Sequence, residues 1–357
     1  MIVVIGAGLI GLSIAYELAK RGADVRVLEA GDSSASASWS GAGRLAPFTE
    51  SDGNEELELF LATALGVYQV FVKELHKRTG VDPYLRVDGI VEVAHDQPSA
   101  ERLQRRVDEL GERGIHAHWL ERDDVLRIEP WLGPATLGAS LIEDEGQIDN
   151  RQLGKALRLA CADAGVRIEE QTGPIALEAS GGRVAGVRAR EQFLLAETVV
   201  NAAGARAGEL AGVPEEVRVS IEPVKGQLLV LAMPERRVTR LVYAPGAYLI
   251  PRHDGTLVVG ETVDETAGFD AKIDPFATRR LREAAISAIP SLAELRVLEQ
   301  WVGFRPRSPN GRPYIGATAL EGYFVAAGHY RNGILLAPAT ALAIANVIEG
   351  KTVEASH

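Results

Sequence analysis

The sequence predicts an α/β protein in which a Rossmann-like domain is joined to a second, discontinuous domain built on an antiparallel sheet. Three observations support this fold class. The chain opens with a strand, a glycine turn, a helix and a second strand. Further βα units and antiparallel strands then interleave, and a late apolar strand runs through a glycine-rich turn into a long apolar helix. With 357 residues, 46% of them hydrophobic, the chain is long enough to bury two cores.

The N-terminal segment has the layout of a dinucleotide-binding βαβ unit. An apolar strand at 2–5 leads into Gly6-Ala7-Gly8-Leu9-Ile10-Gly11, a helix follows as far as Gly22, and the strand at 25–28 ends at Glu29. The first glycine allows the tight turn, the second lets the backbone approach a pyrophosphate, and the third brings the helix close to the strand. Glu29 is placed to accept hydrogen bonds from a ribose diol, which favours FAD or NAD over NADP. A glycine-rich turn without a ligand would leave three glycines as unexplained conformational cost.

The rest of the chain alternates between helical and strand patterns. The predicted elements are a helix at 55–79, a strand at 85–94, a charged helix near 100–113, a strand at 136–142, a helix at 152–164, a strand at 166–170, a hairpin around Gly181-Gly182, a strand at 197–204, strands within 217–233, 247–259 and 297–301, a helix at 275–289, and a strand at 323–328 running into a helix that ends at Gly350. We assign residues 1–80, 145–215 and 305–357 to the Rossmann-like domain, and residues 81–144 and 216–304 to the second domain.

Composition excludes several classes of function. A formal charge of -11 without a long basic run argues against nucleic-acid or anionic-membrane binding. The first strand begins at residue 2, and the longest apolar stretch, 334–348, is too short for a membrane span, so we expect a cytoplasmic protein. The single cysteine, Cys161, excludes an internal disulfide and a cysteine-rich metal site, and its apolar neighbours predict a packed core thiol. No metal site is predicted.

The C-terminal third carries a second set of motifs. Residues 301–316 contain Gly303-Phe304-Arg305-Pro306, and residues 328–333 read Gly-His-Tyr-Arg-Asn-Gly at the start of an apolar helix. The amides and positive dipole end of that helix can face an electron-rich ring edge, such as that of a reduced flavin.

These segments, together with Ser-Trp-Ser-Gly-Ala-Gly at 38–43, residues 198–204, Pro-Val-Lys-Gly-Gln at 223–227 and Tyr-Leu-Ile-Pro-Arg at 248–252, resemble the D-amino-acid-oxidase-like family of FAD-dependent amine oxidoreductases. The resemblance covers essentially the whole chain and is greatest for the glycine oxidase subgroup of the thiamine pathway. It implies that FAD is lined by Gly6, Gly8, Leu9, Ile10, Gly11, Glu29, Ala42, Gly43, Arg44, Pro174, Ala203, Gly204, His329, Tyr330, Arg331, Asn332, Gly333, Ile334 and Leu335, with Pro174 near the adenine. It also implies that Arg305, Tyr248 and Arg331 bind the substrate.

The chemistry of these side chains agrees with that implication. A planar guanidinium binds a carboxylate through two parallel hydrogen bonds, so Arg305 is the candidate clamp for an amino-acid substrate, and the alternative is a surface arginine in a proline-rich turn. Tyr248 either adds a hydrogen bond or only packs. Arg331 touches the substrate or the flavin alone, and His329 is either a flavin contact or a packed histidine.

The resemblance further implies oxidative deamination of glycine, sarcosine or a small D-amino acid, by hydride transfer from the substrate Cα to flavin N5. Dioxygen is then reduced to hydrogen peroxide, and positioning is the protein's main contribution. Because residues 31–49 hold no His or Cys, FAD is expected to be noncovalent. The alternatives are a dehydrogenase with another electron acceptor, a flavin-binding subunit that needs a partner chain, and, least favoured, an NAD dehydrogenase. Relatives imply a homo-oligomer.

One residue departs from the subgroup. The position after Ala42-Gly43 is usually apolar there, whereas this chain has Arg44. The side chain of Arg44 projects over the flavin towards the substrate or points to solvent, and the small residues before it favour the first arrangement.

Overall fold

The structure is a computed structural model that describes residues 1–32, 37–51 and 53–351. Its strands are β1 (Ile2–Ile5), β2 (Val25–Leu28), β3 (Arg44–Leu45), β4 (Ile90–Ala94), β5 (Ala117–Glu121), β6 (Gly138–Ile142), β7 (Gly146–Gln147), β8 (Arg167–Glu169), β9 (Ile175–Ser180), β10 (Arg183–Ala189), β11 (Gln192–Leu195), β12 (Thr198–Asn201), β13 (Glu222–Ala232), β14 (Leu241–Ala244), β15 (Ala247–Pro251), β16 (Thr256–Gly260), β17 (Val297–Arg307), β18 (Tyr314–Ala317) and β19 (Tyr323–Ala327). Its helices are α1 (Leu9–Lys20), α2 (Ala37–Ser40), α3 (Glu55–Thr79), α4 (Gln97–Glu112), α5 (Arg122–Ile128), α6 (Asn150–Asp163), α7 (Pro275–Ala288) and α8 (Gly333–Ile348).

The first domain is built on a six-stranded sheet in the order β18-β19-β12-β1-β2-β8, in which every pairing except β18 with β19 is parallel. Helices α1, α3, α6 and α8 share one hydrophobic core with one face of this sheet, and the antiparallel sheet β11-β10-β9 packs on the other face. Because both faces are covered, the central strand β1 is apolar along its whole length rather than alternating.

The second domain is built on an eight-stranded sheet in the order β17-β13-β16-β15-β14-β4-β6-β5. Side chains alternate between its two faces: Leu249 and Leu257 pack against α5 and α7, whereas Tyr248, Ile250 and Val258 face the first domain. The sheet takes its strands from two separate parts of the chain, and the domain boundary expected between 304 and 305 falls inside β17, because pairing with β13 continues to Arg307.

The α/β fold class predicted from the sequence is confirmed, and several elements differ in length. Helix α3 has the predicted bounds, since Asn54 caps its first turn and Gly80 ends it in the left-handed conformation. The strand predicted at 85–94 begins only at Ile90, while the strand predicted at 297–301 continues to Arg307. Strand β5 was not predicted, because this edge strand is half exposed and lacks an apolar alternation.

Two further expectations concern composition. Cys161 is a buried free thiol whose pKa is raised to about 12 by burial, as a packed core cysteine requires. Within the described part of the chain, no helix is long and apolar enough to cross a membrane.

Candidate active site

The glycine turn brings β1, α1 and β12 into close contact. A Cβ on Gly11 would lie 2.0 Å from the carbonyl oxygen of Gly6, and a Cβ on Gly6 would lie 2.4 Å from that of Ala202. Gly8 is the N-cap of α1, so the first turn of the helix has no capping side chain of its own. The predicted residues Ala203 and Gly204 follow β12 directly beside Gly6. Leu9 is buried in the core of this domain, and Ile10 is partly buried against it.

Glu29 is held at the carboxyl end of β2, next to the glycine turn. Its carboxylate accepts hydrogen bonds from the Ala7 amide at 2.9 Å and the Gly31 amide at 3.1 Å. The backbone carbonyl of Glu29 accepts a hydrogen bond from the Thr172 amide at 3.0 Å, and the exposed Pro174 follows two residues later. Pro174 therefore lies close to the end of the βαβ unit that carries the acidic residue.

The backbone before Arg44 is held by side chains from outside its own segment. The buried guanidinium of Arg252, which follows β15, donates to the carbonyl oxygens of Ala42 at 2.9 Å and Ile148 at 2.8 Å. Gly43 adopts φ +84°, and a Cβ there would lie 1.9 Å from the Ile148 carbonyl oxygen, so this approach requires glycine.

The turn that leads into α8 is tied to the strand that carries Arg305. The Tyr330 amide donates to the Pro306 carbonyl oxygen at 2.8 Å, and His329 forms a β-bridge with Arg307. The His329 side chain is buried, its Nε2 lies 3.0 Å from Thr340 Oγ1, and burial lowers its pKa to about 3.

The residues predicted to line FAD at the start of α8 differ in what they contact. Asn332 is the N-cap of α8, and the helix begins at Gly333. A Cβ on Gly41 would lie 2.8 Å from Ile334 Cδ1, so Ile334 packs against the segment that carries Ala42 and Gly43. Leu335 is buried in the core of the first domain.

The side chains predicted to bind the substrate converge on one carboxylate, that of Glu261, which directly follows β16. Nη2 of Arg305 lies 2.5 Å from Glu261 Oε2, and the Tyr248 hydroxyl donates to the same oxygen at 2.9 Å. Nη2 of Arg331 lies 4.0 Å from Oε1. Burial favours the neutral acid, but the nearby arginines outweigh it and lower the pKa of Glu261 to about 2. Glu261 is therefore ionised at neutral pH.

Arg44 points into this group and away from solvent. Its side chain is 8% exposed, its Nη2 lies 2.9 Å from Glu261 Oε1, and its Nη1 forms an ion pair with Glu50. The guanidinium lies 4.2 Å from the centre of the Tyr248 ring, in cation–π contact. Burial disfavours the charged form of Arg44, but the two carboxylates outweigh it and raise its pKa well above the ordinary value. The hydroxyl of Tyr243 donates to Glu50 at 2.5 Å.

Two glycines make room for the polar side chains. A Cβ on Gly226 would lie 2.1 Å from Arg305 Nη2, and a Cβ on Gly260 would lie 2.3 Å from the Tyr248 hydroxyl. Trp301, which faces the first domain, lies four residues before Arg305 on β17, so strand alternation turns Arg305 to that same face. The predicted alternative, a surface arginine in a proline-rich turn, does not hold for Arg305, because β17 continues through it and its side chain is 11% exposed.

Sequence reasoning missed Glu50, Tyr243, Arg252 and Glu261 as members of this site. The available signal in the sequence was Glu261, an acidic residue placed directly after the strand-like run Leu-Val-Val-Gly at 257–260. Within residues 1–32, 37–51 and 53–351, no three or more His, Cys, Asp or Glu side chains form a group that could hold a metal ion.

Glu145 anchors the segment that precedes Glu50. Its buried Oε1 accepts hydrogen bonds from the Phe48 amide at 2.6 Å and the Thr49 amide at 2.8 Å, and Oε2 forms a hydrogen bond with the Thr49 hydroxyl. Burial is the main cause that raises its pKa from 4.5 to about 7, and the charge of Glu50 adds to the effect.

Glu145→Gln is expected to raise stability at high pH. Since the folded-state pKa is raised, the stabilisation that the neutral acid provides is complete below 4.5 and is lost as the pH rises towards about 7. Glutamine stays neutral and can keep the same hydrogen bonds, so we expect Glu145→Gln to exceed the wild type by up to about 3 kcal/mol near pH 8 and to match it near pH 4. Thermal melts of both proteins at the two pH values, with exposed Glu143→Gln as control, test this. A lower melting temperature of Glu145→Gln near pH 8 would contradict it.

The nucleotide cradle fits an adenine dinucleotide. In a Rossmann-like unit, a pyrophosphate binds at a glycine turn, and this chain has Gly8 as the N-cap and Gly6 and Gly11 in close contact with backbone atoms. A ribose diol binds an acidic residue at the end of the second strand, where this chain has Glu29. Fold and cradle together define a dinucleotide-dependent protein with a charged site between its two domains.

Comparison with known proteins identifies the family. The family model described as "FAD dependent oxidoreductase" (DAO) matches residues 1–347, so the chain belongs to this family and FAD is its cofactor. The chain is 33% identical over 355 residues to the glycine oxidase of Geobacillus kaustophilus, covering 98% of this chain and 93% of that protein. A solved structure of glycine oxidase from Bacillus cereus matches with a TM-score of 0.92 at 29% identity, covering 98% of this chain and 95% of that one.

Some relatives are longer. The bifunctional protein ThiO/ThiG of Nostoc sp. is 33% identical over 351 residues, covering 97% of this chain but 52% of the relative. The chain thus spans about half the length of these two-part relatives.

Proposed function

We propose that this chain catalyses the oxidative deamination of a small amino acid or secondary amine, with glycine as the first candidate. For a primary amino acid the overall reaction converts the substrate, dioxygen and water into a 2-oxo acid, ammonia and hydrogen peroxide, and a secondary amine yields a primary amine in place of ammonia. Relatives named glycine oxidase, at about one-third identity over nearly the whole chain, support this choice of reaction. FAD, when bound, supplies a two-electron acceptor.

The observation that carries the proposal is the hydrogen bond between the Tyr330 amide and the Pro306 carbonyl oxygen. It fixes the turn assigned to the cofactor beside the strand that carries Arg305. A carboxylate bound by Arg305 is thereby held at a set position relative to that turn, which is the requirement for a reaction controlled by positioning.

Each polar side chain of the site then has a role. Arg305 and Arg331 supply positive charge for the substrate carboxylate, and the Tyr248 hydroxyl, which donates to Glu261, holds that residue beside Arg305. Burial raises the pKa of Tyr248 well above its ordinary value, so the hydroxyl keeps its proton at neutral pH. The β1–α1 turn, Glu29 and residues 42–44, 203–204 and 329–335 hold the cofactor.

The test uses the purified, FAD-loaded chain. Glycine, sarcosine, D-alanine and D-proline are added in turn without oxygen, and loss of flavin absorbance identifies a substrate. Air is then admitted and hydrogen peroxide is measured. A flavin that no amine bleaches would refute the proposal, and bleaching without peroxide would instead indicate a dehydrogenase with another acceptor. A role in thiamine biosynthesis, a homo-oligomeric state and a cytoplasmic location stay predictions.

Acid precipitation is expected to release the yellow FAD into the supernatant. No His or Cys lies in residues 37–49. The Nε2 atom of His329 is engaged in a hydrogen bond with the Thr340 hydroxyl. Absorbance of supernatant and pellet after precipitation measures the outcome. Yellow colour retained in the pellet after denaturation and washing would show a covalent bond.

Arg44→Met is expected to raise the apparent KM for the amino acid by about tenfold while changing kcat less, because it removes a buried cation from a site that binds an anion. Stopped-flow measurement of flavin reduction and reoxidation separates the two half-reactions. The control is Arg312→Met, which removes an exposed arginine that pairs with Glu56. Unchanged substrate affinity and unchanged rates in both half-reactions would show that Arg44 is incidental.

A further inference from the structure

The ion pairs of the site form one connected group, which we call the Glu261 cluster: Arg44, Glu50, Glu261, Arg305 and Arg331. Arg44 bridges the two carboxylates, Arg305 contacts Glu261 directly, and Arg331 lies 4.0 Å from it. Three arginines and two glutamates leave a net charge of +1. The two tyrosines in contact with the cluster, Tyr243 and Tyr248, are kept neutral, because burial raises the pKa of each.

Glu261 lies beside the side chains that would bind a substrate carboxylate and engages two of their donors. Both Arg305 Nη2 and the Tyr248 hydroxyl direct their hydrogen bonds to Oε2 of this one residue. Among the described residues, Arg331 is the cluster arginine whose buried Nε has no hydrogen-bond partner. The cluster therefore carries one uncompensated positive charge and one unused donor, next to the Glu261 carboxylate.

We propose that Glu261 is a specificity-determining residue that restricts this site to substrates with a single carboxylate group. This inference rests on the proposed function for the identity of the substrate, but its test does not. One bound carboxylate balances the net charge of the cluster. A second would add an uncompensated negative charge in a buried position close to Glu261, where like charges repel strongly.

The experiment measures binding of two probes that cannot be oxidised as amines, acetate with one carboxylate and malonate with two. Calorimetric titration of the FAD-loaded protein at about pH 8, where both probes are fully ionised, gives the dissociation constant of each probe. For the wild type we expect malonate to bind no more tightly than acetate. Malonate binding that is tighter by about tenfold or more would overturn the proposal without any variant.

Glu261→Gln keeps the size of the side chain and an acceptor for the Tyr248 hydroxyl while removing the charge. We expect the ratio of the malonate to the acetate dissociation constant to fall by at least about tenfold. Glu265→Gln is the matched control, since it also removes a carboxylate that pairs with an arginine of β17, but at the exposed Arg307. A ratio in Glu261→Gln within about twofold of the wild-type value would overturn the proposal.

A double variant separates net charge from shape. Arg44→Met combined with Glu261→Gln removes one cation and one anion, so the cluster returns to a net charge of +1. We expect its ratio to return to within about threefold of the wild type, and a ratio that stays at the single-variant value would overturn the charge argument. If no amine bleaches the wild-type flavin, the proposed reaction fails, while the two-probe comparison still decides the role of Glu261.

Discussion

Arg305→Ala is expected to lower kcat/KM for the amino-acid substrate on the order of thirtyfold or more, while the fold and the bound FAD are kept. Truncating one partner of a buried, hydrogen-bonded charge pair typically costs about 2 to 5 kcal/mol, and every 1.4 kcal/mol is about tenfold. The guanidinium is 11% exposed and is oriented by the Thr262 carbonyl oxygen at 3.1 Å, so water cannot readily replace it. Steady-state kinetics together with the flavin spectrum measure both parts of the expectation.

Arg305→Lys is expected to recover only part of the loss. A lysine restores the charge but not the two parallel donors of a guanidinium. The matched control is Arg307→Ala, two residues further along β17, where the arginine forms partly exposed pairs with Glu222 and Glu265. Wild-type kinetics in Arg305→Ala, or an equal loss in Arg307→Ala, would mean that Arg305 is not the substrate clamp.

Gly11→Ala is expected to yield a protein that binds FAD poorly and unfolds more readily. The added Cβ would lie 2.0 Å from the Gly6 carbonyl oxygen, far inside the contact distance of about 3.5 Å. Since that atom belongs to the backbone, α1 must move away from β1, which costs about 1 to 3 kcal/mol and displaces the helix N-terminus from the pyrophosphate position. Flavin content after purification and thermal melting of the apoprotein measure the two effects.

Gly66→Ala provides the control for this expectation. Gly66 also lies inside a helix, α3, but a Cβ there would meet nothing within 4 Å. Alanine at this position should stabilise the protein by about 0.5 to 1 kcal/mol, because glycine is unfavourable inside a helix. Full flavin content in Gly11→Ala would show that the close contact is relieved without moving the cradle.

The sequence by itself determined the dinucleotide-binding unit, because its parts are local. Gly6, Gly8, Gly11 and Glu29 lie within one βαβ segment, and Gly11 is required by a close approach to the Gly6 carbonyl oxygen inside that segment. Helix α3 is predicted with its observed bounds for the same reason, since its apolar spacing is a local pattern of the chain. The family resemblance also rests on short continuous motifs.

Tertiary structure alone decided the charge pattern of the site. Arg44 meets Glu50 and Glu261 through pairs that join residues up to 217 positions apart, and no local pattern couples such positions. Whether Arg44 pointed inward, whether Arg305 lay on a strand, and which carboxylate met them depended on how β13, β16 and β17 pair and which face they turn to the first domain. Successive side chains of a strand point to opposite faces of the sheet, and only the packing of the two domains determines which face becomes the site.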